Sequence, residues 1–263
     1  MLICPKCKEK LTKINNSYKC INNHSYDVAK SGYINLLLSK HNSGDNKEMV
    51  DSRVDFLNKG YYLPLAYKLS NILANFICKE DYILDGGCGS GYYDSVLKAN
   101  FSNIIGYDIS KDAINKASRI NKELLYIVCS GTDVPLGNNS VACILNIFAP
   151  TFEKEAYRLL KDQGILILVT PGKEHLIELK QIIYDKAYLN EDKISLFDSF
   201  ELNTKYDISY SFTATNQDII SLLKMTPYFY KTNENDLAKV YAIETLDITA
   251  SFKILVYKKK PAI

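Results

Sequence analysis

Two clusters of residues in this sequence have the types and spacing to do chemistry. The first is Cys4-Pro5-Lys6-Cys7 followed by Cys20 and His24, a Cys-x2-Cys-x12-Cys-x3-His arrangement. A Cys-x2-Cys step puts two sulfurs in one tight turn, and Cys20 with His24 would close from a facing turn. Four such ligands in tetrahedral array suit Zn2+, and a closed set leaves no position for catalysis, so the metal would be structural. A segment this short cannot build an adequate apolar core, and metal binding would then supply much of its folding free energy. The plain alternative is unrelated cysteines and a surface histidine.

The second cluster is Asp85-Gly86-Gly87-Cys88-Gly89-Ser90-Gly91-Tyr92. Its glycines permit a tight turn and close approach of a ligand to bare backbone. The helix that follows would offer unpaired N–H groups at its start. A phosphate-cradling loop would end in Gly-Lys-Ser/Thr, and this one does not. A dinucleotide fingerprint begun at Gly87 would need glycine where Tyr92 stands. What remains is Asp-x-Gly-x-Gly-x-Gly, or a glycine turn of some other α/β protein.

The surrounding pattern predicts the elements that hold these clusters. Helical periodicity covers 48–57 and 64–78, the latter with Pro64 in its first turn and Leu65, Leu69, Ile72, Leu73 and Phe76 on one face. From residue 82 onward strands and helices alternate: strands at 82–85, 104–107, 125–129, 141–148 and 165–170, helices at 92–99, 110–121 and 153–161. Ser110 would cap the second of those helices. This alternation indicates a parallel sheet covered on both faces. Residues 206–213 and 248–257 alternate and could pair antiparallel. The polar stretch 39–48 reads as a loop or linker.

Composition narrows the setting. The first 40 residues hold seven lysines against Glu9 and Asp27, a net of +5, which leaves −3 for the rest of a chain whose total is +2. A basic head on a mildly acidic body suggests a polyanionic partner, the alternative being a solvated lysine-rich surface. No long apolar segment follows Met1, and runs such as 165–169 are too short to span a bilayer. The cytoplasm is the expected compartment, with no membrane partner. There, seven cysteines are not a disulfide framework, and Cys88, Cys129 and Cys143 read as small buried residues.

The glycine loop resembles the first motif of the class I S-adenosylmethionine methyltransferases. The resemblance implies that Asp85, Gly87, Gly89, Ser90, Gly91 and Tyr92 surround the methionine part of the cofactor. It also implies that Asp108, ending the second strand, accepts from the ribose diol. More narrowly, nearly the whole chain resembles the 23S rRNA (guanine-N1)-methyltransferases of the RlmA type. This rests on the zinc ligands and on Tyr26-Asp27-Val28-Ala29-Lys30-Ser31-Gly32-Tyr33-Ile34-Asn35-Leu36-Leu37. Arg53 with Phe56-Leu57, Gly60-Tyr61-Tyr62-Leu63-Pro64-Leu65 and residues 85–93 add to it. So do Asn146-Ile147-Phe148-Ala149-Pro150, Thr170-Pro171-Gly172-Lys173-Glu174-His175-Leu176 and Met225-Thr226-Pro227.

The family resemblance implies an α/β, Rossmann-like methyltransferase with a mostly parallel seven-stranded sheet and a small N-terminal zinc-ribbon-like module. The expected division is a zinc-binding, RNA-recognition module at 1–37, a linker and helix at 38–60, and the methyltransferase domain at 61–263. Tyr62 and His175 would line the cofactor pocket; otherwise Tyr62 is core and His175 caps the next helix. Asn146–Pro150 resembles the tylosin-resistance branch more than the enterobacterial branch, which bears on which guanine of one rRNA hairpin is modified and implies an effect on macrolide susceptibility. A homodimer is expected from the family alone. One departure concerns the third-strand loop, where many class I enzymes have an acidic residue for the adenine amine. This chain has Ser130, with Asp133 slightly later.

The expected reaction is methyl transfer to N1 of a guanine in a 23S rRNA hairpin. That nitrogen lies on the Watson–Crick edge, so the base must be unpaired or flipped out. Asn146 and Pro150, after the fourth strand, are candidates to contact it at the carboxyl edge of the sheet, or they form a plain strand-to-helix loop. No residue declares itself as the general base. Lys6, Lys8, Lys10, Lys13 and Lys19 would grip phosphates. Two other readings share these motifs: a small-molecule methyltransferase, which would not need a basic zinc head, and a zinc-dependent RNA-binding protein, which would not need the intact loop and Asp108.

Overall fold

The computed structural model describes residues 1–39, 46–191 and 194–261. Most of the expected 39–48 linker therefore lies outside the described residues. The chain opens with β1 (Thr12–Ile14), β2 (Ser17–Lys19) and β3 (Ser25–Asp27), an antiparallel sheet in that order. Strands of three residues bury too little to stand alone, so something else must hold this module. β4 (Ile34–Asn35) then leaves it to join a larger sheet.

α1 (Lys47–Asn58) starts at Asn46, whose side chain accepts from the Met49 N–H. α2 (Leu63–Leu73) carries Pro64 in its first turn. It ends before residue 78, where periodicity extended it, because the Asn75 side chain donates to the Asn71 carbonyl and competes with continued helix. β5 (Tyr82–Gly86), α3 (Tyr92–Leu97), β6 (Asn103–Asp108), α4 (Lys111–Ile120), β7 (Leu125–Val128), β8 (Val141–Ile147) and α5 (Glu153–Leu159) follow the expected alternation. The Ser110 side chain accepts from Ala113 N–H, capping α4 as expected. β9 (Leu160–Pro171) begins earlier than residue 165, since Leu160 already pairs with Val141 before the register shifts. α6 (Ile177–Ile183), β10 (Phe200–Thr215), α7 (Asn216–Lys224), α8 (Glu234–Tyr241) and β11 (Thr245–Lys259) complete the chain.

The main sheet runs β10-β11-β9-β8-β5-β6-β7-β4. The seven expected strands are thus joined by an eighth from the N-terminal segment, with Ile34 and Asn35 parallel to Ile127 and Val128. Pairing is parallel from β4 through β9 and antiparallel across β9, β11 and β10. The two terminal strands form a long hairpin in which Tyr206 faces Ile254 and Thr213 faces Asp247, as their alternation predicted.

Strand order reverses at β5. The chain goes outward through β6 and β7, then returns to lay β8 on the other side of β5. In sheets of this topology a ligand is expected outside the carboxyl ends of the strands at the reversal point, and both the glycine loop and Asn146–Pro150 emerge there, from the paired ends of β5 and β8. Side-chain alternation divides the core between two faces. Ile83, Leu145, Ile167 and Ile254 pack with residues of α1, α2, α3 and α7. Leu84, Ile144, Leu166 and Leu255 share the opposite cluster with α5 and with Leu2, Cys4, Leu11 and Cys20 of the small module. Among the described residues no helix is long and apolar enough to cross a membrane.

Candidate functional site

The small module converges on one point. Cys4, Cys7, Cys20 and His24 place one ligand atom each within 4.8 Å of one another. Cys4 Sγ and Cys20 Sγ each lie 3.4 Å from His24 Nδ1, and Cys7 Sγ lies 3.6 Å from Cys20 Sγ. Tetrahedral Zn2+ with Zn–S bonds of about 2.3 Å requires ligand separations of about 3.5–3.8 Å, so the four groups fit zinc. They come from two facing turns, as the spacing implied: Lys8 N–H donates to Cys4 O at 2.8 Å, and Asn23 N–H to Cys20 O at 3.1 Å. Burial works against a Cys4 thiolate, but hydrogen bonds from the Tyr26 hydroxyl and the backbone of Cys7 and Lys6 outweigh it and bring its pKa down to about 6.

The module is docked on the loop after β7. Ile3 N–H donates to Pro135 O at 3.0 Å, Gly137 N–H to Met1 O at 2.8 Å, and Leu2 bridges Leu136. Arg158 braces that loop from below through the carbonyls of Leu136 and Val134. Lys8, one of the five lysines expected to meet phosphates, donates its Nζ to both Asp133 carboxylate oxygens at 2.7 and 2.8 Å. Opposite charges brought together by docking satisfy each other. Lys6, Lys10, Lys13 and Lys19 are exposed.

At the carboxyl edge of β5 the chain turns through Gly87, Gly89 and Gly91, all left-handed, with φ of +71°, +55° and +72°. Two of these positions also require the absence of a side chain. A Cβ on Gly91 would lie 2.6 Å from Tyr126 Oη, and one on Gly87 2.6 Å from the Ala149 methyl. A Cβ on Gly89 would meet nothing within 4 Å, so this part of the loop faces open space. Asp108, at the end of β6, accepts from Gly89 N–H at 3.0 Å and from Ser110 N–H at 2.8 Å. One carboxylate therefore ties the loop to the α4 start at the lip of that space. Ser90 is buried within the loop and Tyr92 is half-buried at the start of α3. The loop fits a nucleoside-bearing ligand, with bare backbone at Gly89 and a carboxylate beside it.

A network invisible in the sequence pattern supports the loop from inside. Tyr126 Oη donates to Asp94 Oδ2 at 2.8 Å and accepts from Asn121 Nδ2 at 3.0 Å, which also donates to Gly91 O at 3.1 Å. Burial, and then the neighbouring Asp94 and Asp108 carboxyls, hold Asp85 well above the ordinary carboxylate range. Burial raises Asp94 from 3.8 to about 6. Because the folded state binds this proton more tightly than the unfolded chain, the associated stability is complete below pH 4 and is lost as pH rises through about 6. Between about pH 4 and pH 6 the melting temperature of the unaltered protein is therefore expected to fall relative to that of Asp94→Asn. Equal slopes in calorimetric melts would refute this.

Tyr62 and His175, expected to share a pocket, meet with Tyr62 Oη 3.5 Å from His175 Nε2. Both are buried, Tyr62 lying edge-on between Phe56 and Phe252. His175 Nδ1 accepts from Ser251 N–H at 3.3 Å, which leaves the ring proton on Nε2. Burial, helped by the positive charge of Lys180, lowers the His175 pKa to about 3. Asn146 is buried, and its amide donates to Pro150 O at 2.8 Å, closing the loop after β8 on itself. Cys88, Cys129 and Cys143 are buried, with burial pushing their thiols up.

Comparison with known proteins agrees with this geometry. Residues 2–43 match the family model of the RlmA N-terminal zinc ribbon, and residues 84–168 match a methyltransferase domain. A 23S rRNA (guanine(748)-N(1))-methyltransferase of Streptomyces fradiae is 34% identical over 68% of this chain and 66% of its own length. A Bacillus subtilis protein provisionally named a 23S rRNA (guanine-N(1)-)-methyltransferase is 29% identical over 98% of this chain and 97% of its own. Among solved structures, a Galdieria sulphuraria protein provisionally described as a sarcosine dimethylglycine methyltransferase shares the fold at a TM-score of 0.50, with 15% identity, over 78% of this chain and 89% of that one. A zinc ribbon docked on a class I methyltransferase domain, in a chain matched over nearly its full length, means that the chain belongs to the RlmA-type family of 23S rRNA (guanine-N1)-methyltransferases.

Proposed function

We propose that this enzyme transfers a methyl group from S-adenosylmethionine to N1 of a guanine in a 23S rRNA hairpin, in the cytoplasm and with consequences for macrolide susceptibility. The observation that carries the reading is the open space at Gly89 with the Asp108 carboxylate at its lip, in a domain that also carries a docked zinc ribbon. In this reading Cys4, Cys7, Cys20 and His24 hold the zinc. Asp108 accepts from the ribose diol while keeping its bonds to the loop, and Gly87, Gly89, Ser90, Gly91 and Tyr92 surround the methionine moiety. Asp85 sits beneath them, and Tyr62 and His175 close the far wall. Ser130 or Asp133, on the loop after β7, faces adenine; Asp133 accepts from Lys8 and Ser130 bonds Thr132.

When bound, S-adenosylmethionine supplies an electrophilic methyl group for in-line displacement. The chain's own task is to hold the guanine edge at near-attack distance, and positioning of this kind can supply much of the rate. Asn146 holds Pro150 and so shapes the wall at which the base is presented. His175, at a pKa of about 3, is too weak a base to take the N1 proton at neutral pH. The functional division is a zinc-bearing RNA grip at 1–37, a connecting segment at 38–60 and the catalytic domain at 61–263, in a homodimer.

The direct test is incubation with labelled cofactor and unmodified 23S rRNA, followed by mapping of the methylated base. A methylated small molecule with unlabelled RNA would overturn the reading. Replacing Lys6, Lys10 and Lys13 by glutamate is expected to weaken RNA binding and to flatten its salt dependence. If all three contact phosphates, the slope of log K against log salt falls by about 3. Unchanged binding in filter titrations would remove the ribbon from the RNA interface.

A further inference from the structure

Phe148 has a backbone that a bulky side chain seldom adopts. Its φ is +56°, in the left-handed region, directly after β8 at the carboxyl edge of the sheet. Residues kept in such conformations concentrate where the side chain has work to do. Here the neighbours hold it in place. The Phe148 N–H donates to Val169 O at 3.0 Å, the next residue's methyl abuts the Gly87 position, and the Asn146 amide ties the loop to Pro150 O.

The consequence is an aromatic ring presented to solvent. Phe148 is 44% exposed, although the rings around it are buried. His175 lies near-parallel to it, with centroids 6.4 Å apart and planes 21° from each other, and Phe252 is 5.7 Å away. The ring is thus backed on one side and open on the other, one residue from the glycine loop. A turn with φ of +56° is better made by glycine, so the phenylalanine at this position is accounted for by its ring and not by the turn.

We propose that the open face of Phe148 is the platform on which the flipped target base stacks for methyl transfer. This rests on the reading of the substrate as an unpaired nucleobase in RNA. A planar π-face is the ligand an isolated, rigidly backed ring recognises, and aromatic stacking tolerates any base. The platform therefore supplies orientation, and choice of guanine falls to polar groups around it.

The test compares Phe148→Ala, Phe148→Gly, Phe148→Tyr and the unaltered enzyme on unmodified 23S rRNA, with cofactor affinity measured separately by calorimetry. Loss of one stacked base corresponds to a fall of about 5- to 150-fold in kcat/KM for RNA. That fall is expected in Phe148→Ala and Phe148→Gly, with the Kd for S-adenosylmethionine within twofold of the unaltered enzyme, and Phe148→Tyr should restore activity. Phe148→Gly relieves the backbone strain, so full activity in that variant would assign the position to the turn and overturn the proposal. Full activity in Phe148→Ala would do the same. If the unaltered enzyme methylates no RNA base, the substrate reading fails and the platform with it, whereas an active enzyme with indifferent variants refutes the platform alone.

Discussion

Removing the metal with a chelator is expected to unfold residues 1–35 and to lower the thermal stability of the remainder. The module's strands have three residues each, and its buried apolar groups include Leu2, Leu11, the ligands Cys4 and Cys20, and Tyr33 and Ile34, which pack with residues of the main sheet. Such a core is far below what an independent fold requires. Zinc bound by four groups of this kind contributes about 10–16 kcal/mol at neutral pH, which outweighs every other term in so small a unit. The Lys8–Asp133 pair will not compensate, because both side chains are about half exposed, at 51% and 54%, and such pairs contribute about 0–1 kcal/mol.

The effect should spread. Leu2 and Leu11 share a cluster with Val134, Leu136 and Val141, so loss of the module uncovers apolar surface of the main domain. Hydrogen exchange with and without chelator is the measurement: protection in 1–35 should vanish, and protection in 134–141 should fall. Cys7→Ser should behave like the chelated protein, whereas Cys78→Ser, at an exposed position outside the cluster, should not. Retained protection throughout 1–35 after verified metal loss would show that the metal is dispensable.

Substituting Asp108 by alanine is expected to weaken S-adenosylmethionine binding at least 100-fold. Its carboxylate accepts two backbone hydrogen bonds, from Gly89 and Ser110, and bonds to a charged acceptor contribute about 1.5–3 kcal/mol each. Losing both releases the loop at Gly89, where a Cβ would meet open space, and on the proposed reading losing the anion also removes the acceptor for the sugar hydroxyls. Asp108→Asn keeps one oxygen and should fall between, at about tenfold. Asp112→Asn, exposed in the first turn of α4, is the control and should bind normally. Calorimetric titration decides the matter, and a Kd in Asp108→Ala within threefold of the unaltered protein would remove Asp108 from the cofactor site.

These expectations differ in where they originate. The zinc set and the glycine loop were legible in the sequence because both are local devices: a tight turn presenting two thiols, and a strand-to-helix turn with glycines at left-handed positions. The strand and helix alternation was legible for a similar reason, since each element is written in its own periodicity. Boundaries were less so. α2 stops at Leu73 through a side-chain bond from Asn75 that periodicity does not register, and β9 starts at Leu160 because a partner strand reaches that far.

What only the tertiary structure decided are the pairings between residues far apart in the chain. Asp94 meets Tyr126 across 32 positions, and Lys8 meets Asp133 across 125. Nothing in the local pattern of either partner marks it, since an acid in a first helical turn and a tyrosine in a buried strand are each ordinary. Ile34 and Asn35 extend the main sheet only because docking of the ribbon brings them beside β7. Phe148 lies in a segment that the family resemblance picked out, but nothing in the sequence marks its backbone as left-handed or its ring as exposed. Its left-handed backbone and exposed ring arise from Val169, Gly87 and His175, three neighbours contributed by other elements. Local chemistry thus names the motifs, and long-range packing determines which side chains remain available to a ligand, because a side chain's availability depends on which distant groups fill the space around it.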